Sequence, residues 1–391
     1  MKVVINKSER LLRAPGALLG NMRLTEKLLG SRGLEFIDLD PVVPELPDSE
    51  SFLEKLKHID LRDNTPAEQA PINELKEAIA ALYRGICARK LNPVKDITIT
   101  PGNRASALLL CLGLVNPGQT VAVPDPGLAS YRIAAIMAGA EPKPYALLEK
   151  NDYLPNLTAL FEPPAKNLGL VFLNYPHNPT GAEAELYLYR DMINRLRYDN
   201  ILIVLDSPFC GPAKPSIELP NQIKKATNLF LELHSFGFPY GLEGLGFAMG
   251  HRGAVANLEQ VILAGGFKPS KAEIDYALLA LENHHELSQS YLDKLARRRK
   301  ILGDGLKASG WQVRVGRLTP FIWAKIPNWA TSAGFARKVF LRAGVRTRPG
   351  TDFGENGEGY LRFSLTAPDD KIARALENIR KKQLMYRKRG G

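Results

Sequence analysis

No apolar run in this chain approaches the roughly 18 residues that a membrane helix needs. The opening Met1-Lys2-Val3-Val4-Ile5-Asn6-Lys7 has no apolar signal-peptide core. Cysteine is scarce: Cys87, Cys111 and Cys210 lie far apart in apolar contexts and lack metal-ligand spacing. They are expected to be reduced buried thiols, which excludes a disulfide scaffold and leaves no metal site to propose. Internal repeats and low-complexity stretches are also missing. Together these absences imply a cytoplasmic globular protein. What is present fits that class. Apolar residues make up 45% and charged residues 24% of 391 residues, enough chain for a large core and two domains.

The formal net charge is +11, with 52 Lys and Arg against 41 Asp and Glu. About half of the excess sits in the tail, where Arg380, Lys381, Lys382, Arg387, Lys388 and Arg389 occur without an acid. Such a tail can bind nucleic acid electrostatically. No base-reading motif accompanies it, and basic residues also suit a helix C-terminus. A nucleic-acid-associated protein therefore stays an alternative and not the main reading.

From about residue 70 to 280, apolar strands alternate with helical patterns. This implies βαβ units and a mainly parallel sheet. Leu75, Ile79 and Leu82 share a helical face within Asn73 to Leu82. Gly102 to Val115 is an apolar helix opened by a glycine turn. Val121–Val123, Leu170–Leu173, Ile201–Leu205, Leu229–Leu233 and Phe247–Met249 are expected core strands. After 280 the pattern changes. A long charged helix is expected over His284 to Leu302. Strands at Trp311–Val315 and Phe321–Ile326 follow, then helices after 331 and 368. The domains are expected at 46–279, a large α/β unit, and at 1–45 with 280–391, a smaller α+β unit.

The motif Asn174-Tyr175-Pro176-His177-Asn178-Pro179-Thr180-Gly181 resembles the NxPxNPTG signature of fold-type-I, class I/II aminotransferases dependent on pyridoxal phosphate (PLP). Thr100-Pro101-Gly102, Asn116-Pro117-Gly118, Asp125-Pro126-Gly127, a strand ending in Asp206, Gly246–Gly250, Pro349–Gly354 and Glu358–Ser364 follow the same family order. The resemblance covers nearly the whole chain. It implies a large domain with a mainly parallel seven-stranded sheet, a smaller α+β domain, and a homodimer. It assigns Asn103 and Arg104 to a phosphate cradle at a helix N-terminus, with Ser235 as a further phosphate ligand. It places Asn178 on the cofactor's phenolic oxygen and Asp206 on its ring nitrogen. Arg362 would grip a substrate carboxylate with its planar fork.

The departures from the family fall in one pocket. Phe238 stands where the Schiff-base lysine is expected, and a phenyl ring forms no imine. Leu128 replaces the stacking aromatic, Phe209 a tyrosine, and Asn64 the tyrosine that reaches across the dimer. Lys268, in a loop that would border the neighbouring subunit, is a possible substitute positive charge. On these residues the chain is expected to have lost Schiff-base catalysis. It would then be a non-catalytic protein, a pseudoenzyme, that holds no covalent PLP and binds PLP only weakly if at all. Its cleft would take an amino acid, keto acid or other small anion. An enzyme using a non-standard base, with PLP or its amine form, is the alternative.

Overall fold

The computed structural model describes residues 6–14, 36–161, 167–196, 201–209 and 229–384. Within these, strands β2 (Ile97–Thr100), β3 (Thr120–Asp125), β4 (Glu141–Ala146), β5 (Leu168–Asn174), β6 (Leu202–Asp206), β7 (Phe230–Ser235) and β8 (Gly246–Gly250) form a seven-stranded sheet. Its order is β2-β8-β7-β6-β5-β3-β4. The pairs joining β4, β3, β5, β6 and β7 are parallel. Only β8 runs against both neighbours. The α/β architecture expected from the sequence is therefore the observed one.

The central strands β3, β5 and β6 read as apolar runs because both faces of the sheet are covered there. Val121, Val123, Leu170 and Phe172 point to one core, while Ala122, Val171 and Leu173 point to the opposite one. This is the two-residue alternation of a strand, with no polar face. Helix α1 (Gln69–Cys87) packs Ile72, Leu75, Ile79 and Tyr83 inward, a single stripe at helical spacing. It is longer at both ends than its apolar core suggests. Pro71 lies within the first turn, where its missing N–H costs nothing, and Ala88 ends the helix in a left-handed conformation. Helices α2 (Asn103–Leu114), α3 (Ala129–Met137) and α4 (Arg252–Ala264) lie against the other face.

The C-terminal part begins with α5 (Lys271–Glu282) and α6 (His284–Arg299). Helix α6 stops short of the expected Leu302, because Lys300–Asp304 opens into a wider π turn. A Cβ on the following Gly305 would collide with the Leu376 side chain. Helix α8 (Asp369–Lys381) thus approaches the backbone there. Strands β9 (Gln312–Val315), β10 (Phe321–Lys325), β12 (Arg348–Pro349) and β13 (Tyr360–Ser364) form an antiparallel sheet in the order β12-β13-β10-β9. Helix α7 (Ser332–Ala343) covers it. The N-terminal strand β1 (Ile37–Asp38) pairs in parallel with β11 (Val345–Arg346), and Ile37 and Leu39 join this second core. Of the basic tail, Arg380 to Lys382 end α8. Arg387, Lys388 and Arg389 lie outside the described residues, as does Cys210. No helix among the described residues is long and apolar enough to cross a membrane.

Candidate active site

In an open parallel sheet, ligands gather beyond the carboxyl ends of the strands. Here β5, β6 and β7 end in Asn174, Asp206 and Ser235 around a cavity of about 510 Å³. Asn174 ties the neighbouring turn to the next strand. Its Nδ2 donates to the Asp206 carbonyl at 2.8 Å, and its Oδ1 accepts from the Asn178 N–H at 2.9 Å. This fixes Asn178 at the cavity wall.

Asp206 is the buried acid of the site, 2% exposed. Asn103 Nδ2 donates to its Oδ1 at 2.5 Å, and the Tyr131 hydroxyl donates to its Oδ2. Burial raises its pKa above the usual carboxylate range, and these two hydrogen bonds and the nearby His234 pull it back. Both donors are neutral side chains. Tyr131 was not anticipated. The only sequence signal for it is its place three residues after Leu128, at the start of α3.

Asn103 thus turns to Asp206 and away from an incoming anion, while its own Oδ1 is buried and unpartnered. Gly102, at φ +79°, opens α2 beside it. Arg104 is exposed on the rim, and the Ser235 Oγ accepts the Gly237 N–H at 2.9 Å. Glu243 lines the same edge of the cavity, so an acid sits near the helix N-terminus.

Arg362 is 5% exposed. Its NH1 donates to Asn178 Oδ1 at 3.0 Å, and its NH2 to the Asp40 carbonyl at 2.8 Å. Its Nε is buried without a partner. The guanidinium lies 4.9 Å from the Phe353 ring centre and 5.5 Å from that of Phe321. Burial, helped by the Arg348 charge, lowers its pKa to about 9, and Asp40 and Asp352 oppose both. Arg348 and Asp352 line the cavity too. Sequence reasoning missed both, although Arg346 and Arg348 alternate as strand neighbours do.

Leu128, Phe209 and Phe238 also line the cavity. Phe238 is 7% exposed and packs with Phe209, 5.7 Å between ring centres, and with Tyr291 at the same separation. Phe209 in turn meets Phe321 edge-on at 5.5 Å. The position is therefore an apolar wall. Lys268 and Asn64 are exposed and do not line this chain's cavity. No cluster of potential metal ligands occurs among the described residues.

A sheet of this order, with Asp206 at a central strand end and a buried arginine lining the same cavity, defines a class, and the comparisons agree. The family model for aminotransferase class I and II matches residues 49–379, and the chain belongs to that family. It is 30% identical over 387 residues to an LL-diaminopimelate aminotransferase of Aquifex aeolicus, covering 96% of this chain and 99% of the relative. An LL-diaminopimelate aminotransferase of Halothermothrix orenii is 28% identical, covering 98% and 100%. Among solved structures, apo-BacF from Bacillus subtilis superposes with a TM-score of 0.85 at 25% identity, covering 98% of this chain and 100% of its own. A probable N-succinyldiaminopimelate aminotransferase from Thermus thermophilus gives 0.82 at 26% identity, covering 92% and 98%.

These relatives overturn two expectations. The chain was expected to be non-catalytic and to hold no covalent PLP; end-to-end similarity to proteins named as aminotransferases supports a working member of a PLP-dependent family instead. Phe238 alone does not decide the matter. The changes at Phe238, Leu128, Phe209 and Asn64 leave the buried Asp206 and Arg362 in place. The described cavity residues fit the ring and carboxylate ends of such a cofactor and its substrate, through Asp206, Asn178 and Arg362. None of the described lining residues is a lysine.

Proposed function

We propose that the protein is an aminotransferase acting on an amino acid and a keto acid, with the amino acid of the diaminopimelate type. The observation that carries this is the pairing of Asp206 and Arg362 in one cavity, supported by full-length similarity to LL-diaminopimelate aminotransferases. When bound, PLP supplies an electron sink for the substrate's α-carbon. Asp206 would hold the ring nitrogen protonated, its negative charge stabilised by Tyr131 and Asn103. Arg362 would orient the substrate through its α-carboxylate, using the unpartnered Nε edge. Asn178 would hold both Arg362 and the phenolic side of the ring. Phe209, Phe238 and Phe321 would keep water from the reacting face. A homodimer would supply residues to the rim.

The test is transfer of an amino group from LL-diaminopimelate to 2-oxoglutarate, measured as glutamate formed with added PLP. Turnover above the PLP-only background is expected. Absence of turnover above that background overturns the reading. Borohydride reduction and peptide mapping then report whether the cofactor is held covalently and at which lysine.

A further inference from the structure

Arg348 and Arg362 are direct cross-strand partners on the antiparallel pair β12–β13. Like charges placed opposite each other on neighbouring strands repel. The arrangement is sustained by two acids. Arg348 Nε donates to Asp40 Oδ1 at 2.5 Å, and its NH1 donates to Asp352 Oδ2 at 3.3 Å. The same Asp40 oxygen lies 3.9 Å from Arg362 NH2, too long for a hydrogen bond. Asp40 is therefore shared unequally. Its carboxylate belongs to Arg348, and only its backbone carbonyl belongs to Arg362.

The backbone at Asp40 cannot relax to change this. The Leu39 N–H donates to the Arg346 carbonyl at 2.9 Å, and the Ser364 N–H donates to the Leu39 carbonyl at 2.7 Å. The segment is stitched between β11 and β13. A side-chain rotation alone would decide which arginine the carboxylate serves. Asp40 is 4% exposed, so its charge must pair with one of them.

The geometry points to Arg348 as a positioning residue that holds the Asp40 carboxylate away from Arg362, so that Arg362 stays open to a substrate carboxylate. This inference rests on the proposed role of Arg362 and extends it. Without Arg348, Asp40 has one remaining cation, and it closes the arginine internally. Substrate must then displace a carboxylate already in place. Arg348 acts through Asp40 and need not touch the substrate.

The test is a double-mutant cycle read by calorimetric titration of LL-diaminopimelate into the PLP-loaded protein. Arg348→Met is expected to raise Kd at least tenfold. Asp40→Asn, which keeps the carbonyl that holds Arg362, is expected to bind as tightly as the native chain or more so. The double variant is expected to return to within about threefold of native Kd. A merely structural Arg348 would give a double variant at least as poor as Arg348→Met, and that result overturns the inference. Unchanged binding in Arg348→Met overturns it as well. Absence of binding in the native protein instead refutes the role of Arg362 itself, so the two failures are distinct. Arg348 is 30% exposed. Should the methionine variant not fold, Arg348→Gln removes the charge with less change of shape, and the same outcomes decide.

Discussion

Asp206 combines a functional charge with a stability cost. Its folded pKa is raised, chiefly by burial, so the fold holds a proton that the unfolded chain releases. Stability from this group therefore falls as pH rises through the window above the ordinary carboxylate value. Asp206→Asn removes that penalty. It should leave the melting temperature at pH 8 unchanged or raise it, while turnover falls by at least about a hundredfold. A lower melting temperature with intact turnover would refute the assignment. His177 gives the opposite slope. It is fully buried, its Nδ1 lies 2.7 Å from Thr180 Oγ1, and burial lowers its pKa to about 3. The unfolded chain takes up a proton below pH 6.5 and the fold does not, so stability is lost as pH falls. The loss between pH 6.5 and 4 should be about 3 kcal/mol. Urea unfolding at the two values measures it, and His177→Gln should remove that share of the slope.

Among elements, the tie between α1 and the sheet is the most exposed to mutation. Just past the end of α1, Arg89 reaches under the sheet to Glu232 on β7 at 2.5 Å, and both side chains are about 5% exposed or less. His234, two residues along the same strand, lies 3.4 Å from Glu232 and within 3.4 Å of the Tyr83 hydroxyl. Burial pushes the Glu232 pKa up, but Arg89 and His234 outweigh it and the group stays below its usual range. Breaking such a pair strands a buried charge, at a cost of roughly 3–5 kcal/mol. Arg89→Met should lose about that much in denaturant unfolding, and Arg89→Met with Glu232→Met should recover most of it. The turn that carries Asp352 and Phe353 is constrained by sterics instead. A Cβ on Gly350 would collide with the Gly357 carbonyl oxygen, so the backbone must move. Gly350→Ala should weaken substrate binding as well as stability, because Phe353 stacks on Arg362. Unaltered binding in a destabilised variant would show that the turn and the arginine are uncoupled.

At the scale of the molecule, much was legible in the sequence. Strands β3, β5, β6 and β8 are apolar runs because both sheet faces are covered, a pattern visible in one dimension, whereas β7 carries the buried Glu232 and His234 within its run. Asn178, Asp206 and Arg362 were legible because each sits in a family motif, Asp206 at the end of β6 and Arg362 in the middle of β13. The pairing of Arg348 with Asp40 was not. The two residues are 308 positions apart, and only the parallel pairing of β1 with β11 brings them together. The loss of catalysis was inferred from departures at Phe238, Leu128, Phe209 and Asn64, and the full-length similarity to proteins named as aminotransferases overturns that inference. Assembly belongs to this scale too. Val43 and Leu46, at or near the cavity rim, are 46% and 57% exposed, and a second subunit would cover such surface. Sedimentation should give a dimer at micromolar concentration. A monomer at every concentration would refute it.

The reversed direction of β8 has an evolutionary consequence. Parallel neighbours need a helix between them, whose length and packing are constrained by the sheet. From β7 to β8 the chain simply turns back, through residues 236–245 at the edge of the cavity. That connection carries Phe238, Glu243 and Gly244. A change there shifts the register of no parallel pair. Phe236 and Tyr240 are fully buried within the connection, so a residue such as Phe238 on the cavity side can change while its neighbours hold the turn in place.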